Sequence, residues 1–265
     1  MSLQYDLIAL DIDGTLLTDD HVLTAPIRET VHEAAERGAQ IVLCTGRGPS
    51  AAFPVLEELG LGGTIITHNG AATINSDDRS VVHQFDMVPD HLLSFVTYCR
   101  EYAIHFDLNT AFDMMVESMT PEAETMYSHF HTKPYIQDFR QGLPSGLVKF
   151  TVFGSKEQMD VVQADWAEWP QHLHTIRSGD YFIDVHHAEA NKGRALQQLA
   201  EIRGIDRKRI LAIGNYYNDI TMLQYAGMGI AMGNSPEEVK LAANAVALSN
   251  GENGVARALR EYAWC

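Results

Sequence analysis

The chain is poor in the residues that would make it a disulfide scaffold, a membrane span or a nucleic-acid binder. Three cysteines, Cys44, Cys99 and Cys265, are scattered through 265 residues. They show neither metal-ligand nor disulfide spacing, which favours a reduced, cytoplasmic setting. No apolar run approaches the roughly 18 residues that mark a membrane-spanning helix. The first residues lack the pattern of a secretory signal. Bases are scarce, 19 against 35 acids, for a formal net charge of −16. That excess argues against a nucleic acid or an anionic membrane as the main partner. It does not bar a small phosphorylated molecule, because a cation and one or two bases reverse the field locally. Internal repeats and low-complexity segments are also absent.

What is present is an ordinary globular balance, 46% hydrophobic and 20% charged, in a chain long enough for one large or two modest domains. The apolar run from Tyr5 to Leu10 reads as a buried parallel strand. It stops at Asp11, and Asp13, Gly14 and Thr15 follow. If extended geometry persists, carboxylates at i and i+2 point the same way and converge on one site, where two like charges call for a cation. Asp and Gly are equally ordinary turn residues. Thr24-Ala25-Pro26 opens a helix that Gly38 closes. Residues 41–44 form a second strand running into Thr45-Gly46-Arg47. Residues 49–60 read as a helix shortened or kinked by Pro54, and 64–67 as a third strand ending in His68-Asn69-Gly70.

The pattern then changes. Segments 71–74 and 81–85 read as a hairpin, and 89–103 as an amphipathic helix. Strands are expected at 104–108, 112–117, 147–153, 174–177 and 181–185, with helices near 121–131 and 156–168. From Asn191 the strand–helix alternation resumes: Lys192-Gly193 opens a helix, and 209–213 is a strand ending in Gly214-Asn215-Tyr216-Tyr217-Asn218-Asp219. A strand at 229–232, a helix at 236–243, a short strand at 245–248 and a terminal helix from Val255 follow. The organisation expected is an α/β core, residues 1–84 and 188–265, built on a doubly wound parallel sheet, with an α+β unit, 85–187, inserted in it.

Four polar clusters stand at or beside carboxyl ends of strands: Asp11 with Asp13, Thr45, Lys192, and Asn215 with Asp219. In open α/β sheets that is where ligands bind. Phosphoryl transfer through an aspartyl intermediate needs such a set: a carboxylate nucleophile, a metal against the phosphoryl charge, an acid/base beside the leaving oxygen, and neutral and cationic donors for the other oxygens.

Four short motifs resemble those of the haloacid dehalogenase-like (HAD) superfamily, in its Cof-type, IIB-capped branch. They are Asp11-Ile-Asp-Gly-Thr-Leu16, Thr45-Gly-Arg47, Asn191-Lys192-Gly193 and Gly214-Asn-Tyr-Tyr-Asn-Asp219. His68-Asn69-Gly70-Ala71 and Ala231-Met-Gly-Asn234 fit the same branch. The resemblance spans the whole chain. It implies a Rossmann-like core with a cap that sets specificity, and a Mg²⁺-dependent phosphatase acting on a small phosphate ester such as a sugar phosphate or a phosphorylated cofactor. By position, Asp11 would be nucleophile and metal ligand. Asp13 would be the acid/base, with its carbonyl on the metal. Thr45 and Lys192 would hold the phosphoryl group, and Asp219 would support the metal. Substrate contacts are implied for Thr45, Gly46, Arg47, Asn69, Lys192 and Asn218, although Asn69 also suits a plain turn and Arg47 a structural pair with a cap carboxylate.

The sequence departs from the family at Asn215, where an Asp is usual. A neutral amide oxygen replaces an anionic ligand, so weaker Mg²⁺ binding is expected, and Asn215→Asp should tighten it. Two other readings remain: a protein that binds a phosphorylated metabolite without catalysis, and a phosphotransferase or mutase using the same intermediate. Tyr216 and Tyr217 are expected to pack at the start of a helix, the alternative being that they wall the site, and Cys44 is expected to be a small core residue. The cap histidines His105, His129, His131, His186 and His187 carry no ligand spacing.

Overall fold

The computed structural model describes residues 4–129, 132–169 and 173–264, so His131 and Cys265 lie outside the described residues. In chain order the elements are β1 (Leu7–Leu10), α1 (Ala25–Glu36), β2 (Gln40–Cys44), α2 (Pro49–Glu58), β3 (Thr64–Thr67), β4 (Ala72–Asn75), β5 (Val81–Gln84), α3 (Leu93–Glu101), β6 (His105–Thr110), β7 (Met114–Val116), α4 (Pro121–His129), β8 (Tyr135–Ile136), β9 (Leu147–Phe153), α5 (Lys156–Trp166), β10 (Leu173–Gly179), β11 (Phe182–His187), α6 (Lys192–Arg203), β12 (Ile210–Gly214), α7 (Ile220–Tyr225), β13 (Met228–Ala231), α8 (Glu237–Ala242), β14 (Ala245–Val246) and α9 (Gly254–Tyr262). They fall into two compact units, one of residues 1–84 with 191–265 and one of 85–190. The second crossing thus comes at Ala190 rather than at 187.

The first unit is an eight-stranded sheet in the order β14-β13-β12-β1-β2-β3-β4-β5. All pairs from β14 to β3 are parallel, and β4 and β5 add an antiparallel edge. Leu7, Ile8, Ala9 and Leu10 are fully buried, as a central parallel strand covered on both faces requires. Strand β1 lies between β2 and β12, and successive strands run outward from it in opposite directions. That makes β1 the switch point of the sheet, beside which open α/β folds bind ligands.

The second unit carries a six-stranded sheet, β10-β11-β9-β6-β7-β8. One face buries Phe106, Phe150, Val152, Ile183 and Val185 with Phe95 of α3 and Trp166 of α5. Phe95 meets Trp166 edge-on at 4.7 Å, a favoured aromatic geometry. Strand alternation puts polar residues on the other face, where Asp107, Thr151 and Asp184 stand in one row across β6, β9 and β11. The expected helix at 89–103 is a 3₁₀ turn at 89–92 followed by α3, and Ala103 already has φ of 51°. Among the described residues no helix is long and apolar enough to cross a membrane.

Candidate active site

The site is built at the carboxyl end of β1. The strand ends at Leu10, and Asp11 keeps only its backbone bond to Ile213 O. Leu17 N then bonds back to Ile12 O at 3.0 Å, so the chain turns at once. The two carboxylates therefore do not converge, contrary to the expectation from extended geometry. Asp11 points inward and is 5% exposed. Asp13 turns outward, its side chain 46% exposed, and the Arg47 guanidinium grips both its oxygens, Nε at 2.8 Å. Arg47 is thus paired within the first unit, with Asp13 rather than with a cap carboxylate.

Lys192 is the hub. Asn191 caps α6 by accepting a hydrogen bond from Arg194 N at 2.9 Å, which places Lys192 on the first helical position. Its ammonium, 1% exposed, donates to Asp11 Oδ1 at 2.7 Å and to Asp219 Oδ1 at 2.6 Å. Asp219 is fully buried. Its Oδ2 also accepts the backbone N–H of Asn215 at 2.8 Å and of Tyr216 at 3.0 Å. Asp219 therefore ties Lys192 to the loop after β12, and any support it lends a metal runs through those partners.

Two carboxylates share one ammonium here. Burial and then the charge of Asp219 push Asp11 up to about 7, against the pull of Lys192. Burial works against the charged lysine too, but Asp11 and Asp219 outweigh it and hold its pKa above the ordinary value. A divalent cation would supply the missing positive charge. The donor set fits one. One end of the Asn215 amide lies 2.9 Å from Asp13 O and 3.0 Å from Asp11 Oδ2, so three oxygen-bearing groups meet at one point. Thr15, to which sequence reasoning gave no role, donates from its hydroxyl toward Asp11 Oδ2 at 3.1 Å and Asn215 Oδ1 at 3.2 Å. The signal for it was its place inside the first motif.

The neighbouring strand ends close round this centre. Thr45, after β2, is buried and accepts from Arg47 N at 3.1 Å. Asn69 sits at φ 57° after β3. It donates its backbone N–H to Thr45 O at 3.0 Å, and its side-chain oxygen accepts from Asn218 at 2.9 Å. A side chain at Gly46 would crowd Asn69 Oδ1, at 2.9 Å. Thus Thr45, Gly46, Asn69 and Asn218 form one connected rim. Tyr216 and Tyr217 stand at the start of the 3₁₀ turn at 217–219, 56% and 47% exposed, and meet each other edge-on at 5.0 Å. Cys44 is buried and its thiol pKa is pushed up by burial, so it is inert.

Parallel strands, a switch-point cluster of carboxylates and a buried lysine suit phosphoryl-transfer chemistry, and comparison with known proteins gives the class. Residues 8–259 match the family model of haloacid dehalogenase-like hydrolases. YxeH of Bacillus subtilis is 35% identical over 97% of this chain and 98% of its own length. The 5-amino-6-(5-phospho-D-ribitylamino)uracil phosphatase YwtE of the same organism is 31% identical over 94% and 95%. The crystal structure of a haloacid dehalogenase-like hydrolase from Bacteroides thetaiotaomicron superposes with a TM-score of 0.86 at 28% identity, covering 97% of this chain and 99% of that one. The chain belongs to the haloacid dehalogenase-like hydrolase family. It is a phosphoric monoester hydrolase.

Proposed function

We propose that the protein hydrolyses a small phosphate monoester in two steps, with Asp11 as nucleophile and Mg²⁺ as cofactor. The observation that carries the proposal is the buried Asp11–Lys192–Asp219 bridge at the end of the switch-point strand. Asp11, the Asp13 carbonyl and Asn215 would hold Mg²⁺, which would supply positive charge against the phosphoryl oxygens. Asp11 attacks phosphorus and the ester P–O bond breaks. Asp13, once it leaves Arg47 and takes up a proton from solvent, gives that proton to the departing alkoxide. Lys192 keeps Asp11 oriented and offsets the charge that gathers on the transferred group. Thr45 and the Asn69–Asn218 pair offer neutral donors at the rim. In the second step Asp13 takes a proton from water as the water attacks phosphorus. The acyl phosphate P–O bond breaks, and the carboxylate of Asp11 is restored with free phosphate as product.

The inserted unit is assigned substrate selection. Its sheet carries a polar row, Asn109, Lys149, Thr151 and Asp184, with Lys149 3.6 Å from Asp184. The test is phosphate release from a panel of sugar phosphates, phosphorylated cofactors and aryl phosphates, with and without Mg²⁺. The expected result is Mg²⁺-dependent release that Asp11→Asn abolishes. Release that persists undiminished in Asp11→Asn would overturn the assignment.

A further inference from the structure

Asn215 has two ends of opposite chemistry, and only one of them can face inward. The inward atom lies 2.9 Å from Asp13 O, 3.0 Å from Asp11 Oδ2 and 3.2 Å from Thr15 Oγ1. Asp13 O only accepts, Asp11 Oδ2 only accepts while its carboxyl is ionised, and the Thr15 hydroxyl has a single proton, which it also offers to Asp11 Oδ2 at 3.1 Å. With Oδ1 inward and Asp11 ionised, oxygens crowd together at about 3 Å without enough protons to separate them. In that charge state the arrangement needs a cation. In an octahedral Mg²⁺ shell with bonds of 2.0–2.1 Å, adjacent oxygens stand about 2.9 Å apart, which matches the spacing found. With Nδ2 inward, the same position becomes a donor to Asp13 O, Asp11 Oδ2 and Thr15 Oγ1. A carboxylate at 215 has no such second state.

We propose that the Asn215 side chain is a two-position element that takes the place of the cation when none is bound. Nδ2 faces inward in the cation-free protein and holds Asp11 and the Asp13 carbonyl in place. Oδ1 faces inward as a ligand when Mg²⁺ binds. The inference rests on the reading of Asp11 and Asp13 as cation ligands. Its cost is affinity, since each binding event must break the amide's hydrogen bonds and gains only a neutral oxygen. Its benefit is a nucleophile that stays arranged at low Mg²⁺.

The test uses the full chain labelled with ¹⁵N at asparagine, with the Asn215 side-chain signal assigned by its absence in Asn215→Asp. Without Mg²⁺ the amide protons should exchange slowly with solvent. Saturating Mg²⁺ should shift the signal and speed exchange. Thermal melting gives a second readout. Both proteins should melt higher in Mg²⁺ than in chelator, but Asn215→Asp should melt lower than the wild type in chelator, gain more from the same Mg²⁺ concentration, and bind Mg²⁺ on the order of tenfold more tightly. A signal that saturating Mg²⁺ leaves unmoved, or equal melting of both proteins in chelator, would overturn the proposal. Phosphate release by the wild type, assayed alongside, keeps the two readings apart. Turnover with an unmoved amide sinks only the switch, and a responsive amide without turnover on any ester sinks only the catalytic reading.

Discussion

Lys192 neutralises two carboxylates that would otherwise be buried without a partner. Lys192→Ala should therefore cost about 3–5 kcal/mol of stability, the usual penalty for breaking a buried pair from one side, along with nearly all activity. Denaturant titration beside a phosphate assay checks both. Asp13 gives the opposite pattern. Its side chain is half exposed and held only by Arg47, with His21 Nδ1 at 3.7 Å. Asp13→Asn should leave stability within about 0.5 kcal/mol while kcat falls by about 10²–10⁴ on alkyl esters, the range of a lost acid/base. Asp13 was legible in the sequence because it stood just past a strand's carboxyl end, and Lys192 because Asn191-Lys192-Gly193 opened a helix. The divergence of Asp13 from Asp11 was not, because it follows from a turn that begins at Ile12, and turns of that kind are set by hydrogen bonds the sequence does not display.

At the scale of elements, the placing of α6 decides where Lys192 sits. Gly70 has φ of 97°, and a Cβ there would overlap the carbonyl of Asn191 and crowd Lys192 N. Gly70→Ala is therefore expected to push the start of α6 away. A displacement of 1 Å at a catalytic group can cost about 10²-fold, so kcat should fall by roughly that amount, more than the melting midpoint would suggest. An unchanged kcat would mean that α6 is not held by this contact. The strands and α6 itself were readable from apolar runs and from the Asn191 cap. The contact between Gly70 and Asn191 was not, since it joins residues far apart in the chain that carry no shared pattern.

At the scale of the whole molecule, acid stability depends on buried groups of the inserted unit. His186 is 1% exposed, and burial brings its pKa down to about 4. Stability from such a group is present above its unfolded pKa of about 6.5 and is lost as pH falls through 4. Asp107 acts with the opposite sign. Burial raises it to about 6, so its contribution is lost as pH rises through that value. The two partly cancel in the wild type. Comparison with His186→Phe isolates the histidine: between pH 7 and pH 4 the variant should gain on the order of 3 kcal/mol relative to the wild type, read from denaturant midpoints. The architecture as a whole was legible, because four motifs recurred at strand–helix spacing. The fates of the cap histidines were not, because alternation along a strand does not say which face is buried.

Transfer of the phosphoryl group to Asp11 is tested most directly by mixing Asp13→Asn with an aryl phosphate and Mg²⁺, because an aryloxide leaves without an acid while hydrolysis of the acyl phosphate still needs the missing base. After acid quench and proteolysis, mass spectrometry should find one added phosphoryl group on the peptide bearing Asp11, in step with a burst of released phenol. A burst without that adduct, or an adduct on another residue, would contradict the assignment.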